Sequence, residues 1–131
     1  EAGSVSSINY VKNGIAGMLE NVPREKLIGG VPFYTRLWTE VGDGTTTSKA
    51  MGIAEEKRWV DNNQVELTWQ ADTAQYYGEV QTSDGAQFLW MEEERSLKEK
   101  MNVIRQNDLA GVACWKLGFE DSAAWDSIQW N

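Results

Sequence analysis

The chain has 131 residues with 41% apolar and 24% charged side chains, a balance that supports one packed domain and excludes disorder for most of its length. Twelve Lys and Arg against twenty Asp and Glu give a net charge of -8, and the cations are scattered among acids, which excludes nucleic acid because phosphate binding needs clustered cations. One Cys and no His leave too few soft ligands for a zinc or Cys-His centre, and no apolar run approaches the roughly 20 residues of a membrane span.

In chain order, Ser7 to Glu20 predicts a helix with Ile8, Val11, Ile15 and Met18 or Leu19 at helical spacing, ended by Pro23. Lys26 to Tyr34 is an apolar run broken only by Gly29, Gly30 and Pro32, and reads as a short strand covered on both faces. Gly42 to Thr47 is a turn-rich loop. Ser48 to Asp61 reads as a weakly amphipathic helix carrying Met51, Ala54 and Trp59. Val65, Leu67 and Trp69 then alternate with polar neighbours as in a half-buried strand. Gln75 to Thr82 and Ala86 to Met91 flank Ser83-Asp84-Gly85, a hairpin signal. Together these predict a small α+β unit with a three-stranded antiparallel meander. Ser96-Leu-Lys-Glu99 reads as a capping box opening a helix to about Asn107, with Leu97, Met101 and Ile104 on one face. Leu109 to Leu117 is a second buried strand with Cys114 as a small core residue, and Ala123 to Trp130 begins a last helix capped by Asp121 or Ser122.

Helix, strand, inserted unit, helix, strand, helix is an α/β order: parallel strands with helical crossovers, and functional residues at the strands' C-terminal ends. Two such strands do not close a barrel. The opening Glu1-Ala-Gly-Ser, without an initiator Met, reads as the start of a piece cut from a longer protein.

Three motifs stand in sequence: Leu27-Ile-Gly-Gly-Val-Pro-Phe-Tyr-Thr-Arg-Leu-Trp38, Trp90-Met-Glu-Glu-Glu-Arg-Ser-Leu97 and Ala110-Gly-Val-Ala-Cys-Trp-Lys-Leu-Gly-Phe-Glu-Asp121. In this order they resemble the last quarter to third of a glycoside hydrolase family 18 barrel, over about Ala2 to Trp130, and are similar to the bacterial branch acting on spore and cell-wall peptidoglycan. The resemblance implies the C-terminal part of a (β/α)8 TIM barrel. Residues 1-38 and 94-131 would be the barrel segment, with Lys26 to Tyr34 as seventh strand and Leu109 to Leu117 as eighth. Residues 39-93 would be an inserted α+β subdomain forming one wall of a cleft.

The family cleaves β-linked N-acetylglucosamine polymers with retention, the sugar's own acetamido oxygen attacking the anomeric carbon. Its general acid closes an Asp-x-x-Asp-x-Asp-x-Glu motif, a spacing that occurs nowhere in this chain. The segment therefore carries no catalytic residue of its own. The implied substrate contacts are Trp115 as the sugar floor, Tyr34 and Arg36 from a Tyr-Gly-Arg motif in which Thr35 replaces Gly, Trp38 at an outer subsite, Glu92 from the Trp-x-Glu position, and Glu120 from the rim. Blander readings stand beside them: Tyr34 and Arg36 would brace the insertion rather than touch a ligand. Glu92, Glu93 and Glu94 complement the positive start of the next helix, Glu120 and Asp121 belong to a cap, and Trp115 is a core residue of an apolar strand. Trp59, Trp69 and Trp90 fit the insertion's own core, and Trp125 packs on the barrel wall.

The implied partner is a polysaccharide containing N-acetylglucosamine, with no cofactor, metal, nucleic acid or membrane. The parent would work outside the cytoplasm, at the wall or spore or secreted. Unpaired strand edges predict that the segment alone self-associates, unless the missing barrel half covers them. A non-catalytic glycan-binding relative would carry the same residues, and a self-standing interaction domain is the third reading.

Overall fold

The computed structural model describes residues 1-130. In chain order its elements are α1 (Ile8–Leu19), a 3-10 turn (Arg24–Lys26), β1 (Ile28–Pro32), β2 (Tyr34–Glu40), β3 (Thr46–Gly52), α2 (Ile53–Asn63), β4 (Thr68–Gln70), β5 (Gln75–Thr82), β6 (Gly85–Trp90), α3 (Glu94–Gln106), β7 (Gly111–Trp115) and α4 (Ser122–Ser127). They form two sheets: β1 and β7 pair in parallel, and the other strands make a five-stranded antiparallel sheet in the order β3-β2-β6-β5-β4.

The serine expected at the start of the first helix is its cap, for the Ser7 side chain accepts from the Tyr10 amide. Ile8, Val11 and Ile15 are the buried stripe, whereas Met18 is 49% exposed. Pro23 is not the terminator. The helix ends at Leu19, and the amides of Asn21 and Val22 fold back onto the Met18 carbonyl.

The parallel pair runs from Ile28 opposite Gly111 to Pro32 opposite Trp115. One face packs on α3, where a Cβ at Gly29 would sit 2.5 Å from the Ile104 side chain, so the close approach requires glycine. The other face is not covered as the apolar run suggests: Ile28 is 59% exposed and Trp115 67%. The run also stops early. Phe33 donates its amide to the Trp115 carbonyl at 2.7 Å, and Tyr34 then starts β2 in the other sheet.

That sheet departs from the expected meander. Thr46 to Gly52, read in part as the start of a helix, pairs with β2 along its whole length from Tyr34 opposite Gly52 to Glu40 opposite Thr46. Three consecutive threonines favour extended backbone, and Gly52 then caps the helix that does form, α2. Of the alternating Val65, Leu67 and Trp69, only Trp69 lies in a strand; Val65 and Leu67 pack over Gly78 of β5. The hairpin at Ser83-Asp84-Gly85 is present, with Gly85 at φ 129 and Thr82 opposite it. The sheet therefore has five strands rather than three, and β2 runs unbroken across the boundary expected at Trp38.

Two cores result. Ile8, Val11 and Ile15 meet Val31, Phe33, Leu97, Met101 and Ile104 in one, and Leu37, Met51, Trp59, Leu89 and Met91 form the other. Trp90, expected in the second, is half-buried on the opposite sheet face, its indole donating to Gln70. Trp125 is 43% exposed and packs edge-on against Phe33.

The cap of α3 also differs from expectation. Glu93 is the N-cap: its carboxylate accepts from the Arg95 and Ser96 amides at 2.9 Å each, while the Ser96 hydroxyl accepts from the Glu93 amide at 3.0 Å. The box is reversed, acid first and serine third, so the helix begins before Ser96 rather than after it. Glu93→Ala should cost about 1 kcal/mol of stability, read as a lower denaturant midpoint; an unchanged midpoint would show that the cap contributes nothing.

Candidate functional site

The C-terminal ends of β1 and β7 open onto a groove of about 360 Å³ whose walls include Ser6, Tyr10, Pro32, Tyr34, Cys114 and Trp115. Trp115 reaches the groove because strand alternation turns it outward, and because the Phe33 amide holds its carbonyl at the strand end. The following peptide, Trp115–Lys116, is cis. Tyr34 enters from the first residue of β2, its ring tilted against Phe119 at 6.0 Å between centroids. Burial pushes the Cys114 thiol up, so it stays neutral and acts as a small filler of the wall.

The lining holds aromatic faces, hydroxyls and one thiol, and no Asp, Glu, Lys or Arg. Such a surface can stack on the apolar C-H face of a sugar ring and hydrogen-bond its hydroxyls. It offers no acid-base pair tuned near neutrality.

Of the six residues the sequence nominated, Trp115 and Tyr34 meet at this groove, and the other four are held elsewhere. Arg36 donates from Nε to the Ser48 hydroxyl at 2.8 Å and from its guanidinium to the Ser48 carbonyl, bracing the β2–β3 hairpin. The Trp38 indole donates to the Gly3 carbonyl at 3.0 Å and ties down the N-terminal segment. The Glu120 carboxylate accepts from the Gly118 amide at 2.7 Å and closes the turn after β7.

Glu92 has no exposed surface and faces inward, which takes it out of reach of a ligand in the groove. Its carboxylate accepts from Lys100 at 2.9 and 3.1 Å, from Ser96 at 3.1 Å and from the Gln75 amide at 2.9 Å, and Ser4 bonds Gln75 in turn. The Glu92 amide donates to Glu56 at 2.8 Å. Burial pushes the Glu92 carboxyl up to about 7 despite the opposing pull of Lys100, Ser96 and Gln75. Glu56, also fully buried, is driven well above the carboxylate range by desolvation, and its second oxygen has no hydrogen-bond partner among the described residues.

Sequence reasoning missed Ser6 and Tyr10 in the groove and Lys100 in the network. Lys100 did leave a signal, since it lies on the apolar stripe of Leu97, Met101 and Ile104, where a lysine needs a buried partner. Tyr10, 71% exposed and off the stripe of α1, left none.

Among the described residues no group of three or more His, Cys, Asp or Glu is placed to hold a metal, and no helix is long and apolar enough to cross a membrane. The profile of Glycosyl hydrolases family 18 matches residues 4-120. The chain belongs to glycosyl hydrolase family 18. Among similar proteins, the Bacillus subtilis (strain 168) protein named as uncharacterized glycosylase YvbX is 26% identical over 130 residues, 98% of this chain and 37% of that protein. A chitinase from Chromobacterium violaceum ATCC 12472 superposes with a TM-score of 0.89 at 21% identity, over 98% of this chain and 39% of its own. The spore cortex-lytic enzyme SleL of Bacillus megaterium QM B1551 gives 0.87 at 23% identity, over 98% of this chain and 30% of its own. The chain thus spans between three-tenths and two-fifths of these three proteins.

Proposed function

We propose that the chain is the C-terminal part of a (β/α)8 barrel glycosidase, with β1 and β7 as the last two barrel strands and residues 39-93 as the inserted wall. The whole protein would hydrolyse β-linked N-acetylglucosamine glycans of peptidoglycan, spore cortex or chitin type, outside the cytoplasm. Catalysis would be substrate-assisted and retaining, with the general acid supplied from outside these residues. In support, α3 connects the five-stranded sheet back to β7, which lies parallel to β1, the handover expected in such a barrel.

The observation that carries the reading is Trp115: 67% exposed at the C-terminal end of a parallel strand, beside Tyr34, over an uncharged groove. An indole at the strand's C-terminal end, beside a second aromatic side chain and over hydroxyls, offers a flat apolar face on which a sugar ring can stack. Titrating a tetramer of N-acetylglucosamine into the whole protein should change tryptophan fluorescence saturably and yield shorter oligomers by mass spectrometry. Saturable binding without products would favour a non-catalytic glycan binder, and neither signal would sink the proposal.

A further inference from the structure

Lys57 lies on α2, inside the antiparallel unit, yet both of its ionic partners lie outside it. Its ammonium donates to Glu94 at 2.6 Å, the first residue of α3, and to Asp121, the N-cap of α4. Partial burial works against all three charges, but their mutual hydrogen bonds prevail: Lys57 is raised, and Glu94 and Asp121 are held below the usual carboxylate range.

The same end of α2 grips the loop that leads from Trp115 to Asp121. The Ile53 amide donates to the Phe119 carbonyl at 2.7 Å, and a Cβ at Gly52 would lie 2.9 Å from that oxygen, so backbone meets backbone there. Phe119 in turn packs on Tyr34, donates its amide to the Lys116 carbonyl at 3.0 Å, and carries the Lys116 ammonium over its ring at 4.8 Å. Trp115 itself, two-thirds exposed, has little side-chain packing to fix its plane. Its attitude is set by the backbone on either side, and one of those sides is the loop that Lys57 closes.

We propose that Lys57 is a positioning residue for the Trp115 platform: by joining Glu94 to Asp121 it fixes the 116-121 loop, and so couples the antiparallel unit to the orientation of the indole. The proposal rests on the reading of Trp115 as a glycan platform. A purely stabilising ion pair at this exposure would contribute little and act on the whole molecule alike. A positioning pair acts on Trp115 selectively.

Indole N-H resonances in a 15N-labelled sample of the whole protein separate these, with Trp115 assigned by Trp115→Phe. Lys57→Met should shift or split the Trp115 resonance while leaving Trp38 and Trp90 in place, and Lys57→Arg should restore it. Affinity for the N-acetylglucosamine tetramer should fall roughly fivefold in Lys57→Met, with no further loss when it is combined with Trp115→Ala. An unmoved Trp115 resonance, or an undiminished Lys57→Met loss in the Trp115→Ala background, would overturn the proposal. If Lys57→Met disturbs Trp38 and Trp90 as well, the same comparison on Glu94→Gln, which keeps the lysine and weakens one of its bonds, decides it. A wild type that binds no tetramer sinks the glycosidase reading, and the resonances alone then decide the link from Lys57 to Trp115.

Discussion

Replacing Trp115 by Ala should weaken the affinity of the whole protein for N-acetylglucosamine oligomers by about 10- to 100-fold, the equivalent of burying one large apolar face at about 1.5–3 kcal/mol. Because the indole is 67% exposed in this chain, its removal leaves no cavity among these residues, and the stability of the 131-residue chain should stay within about 0.5 kcal/mol of wild type. Few substitutions separate binding from folding so cleanly. Trp115→Phe, which keeps a smaller aromatic face, should fall between the two. Calorimetric titration beside thermal unfolding makes the measurement, and an unchanged affinity would show that the ring does not touch the glycan.

The second large effect lies in the buried network. Lys100→Met should destabilise the protein by about 3–5 kcal/mol near pH 8, because it strands the Glu92 carboxylate without its cation where neither side chain meets water. That is a large share of the roughly 5–15 kcal/mol that holds an ordinary domain together. The loss should shrink toward about pH 5, and the reason is a proton. Burial lifts the Glu92 carboxyl from an ordinary 4.5 to about 7, so across that interval the folded protein keeps a proton that the unfolded chain has released. The stability this group contributes is complete below 4.5 and is lost as pH rises through 7. Glu56, raised by burial, adds in the same sense. Glu94 and Asp121, held below their ordinary values, contribute stability that is lost only as pH falls beneath this interval. Without Lys100 the Glu92 carboxyl rises further, so the decline with pH should steepen and extend. Denaturant midpoints of both proteins at about pH 5 and pH 8 measure this, and an equal loss at both would mean that Glu92 does not titrate with folding.

Local chemistry made much of the fold readable. Ser7 and the Ile8, Val11, Ile15 stripe announce α1, Asp84-Gly85 announces the β5–β6 hairpin, and the apolar run at Gly111 to Trp115 announces β7. The failures are where tertiary pairing decided. Thr46 to Gly52 holds too few apolar residues for any period to show, and it is a strand because β2 lies beside it. Glu92, Glu93 and Glu94 look alike in sequence, yet one is a buried ion-pair partner, one a cap and one a half-buried partner of Lys57. What separates them is the position of Lys100 and Lys57, eight residues ahead of Glu92 in one case and 37 behind Glu94 in the other. Of the six nominated residues, Trp115, read from its place at a strand end and from the resemblance, and Tyr34, read from its motif, lie together at the groove. Arg36 was nominated by its motif, Trp38 by its junction and Glu120 by its place on the rim, and none of these identifies a hydrogen-bond partner.

The passages between the two sheets have a mechanical corollary. Only Phe33, fully buried, separates β1 from β2, and the return from β6 to α3 takes Met91, Glu92 and Glu93, all of them buried. Both crossings are short and anchored in the core, which ties the antiparallel unit closely to the parallel pair that carries Trp115. On the proposed reading, the part of the groove wall built by these residues would keep its shape when a glycan arrives. A wall held in place before binding would save ordering entropy when the ligand arrives.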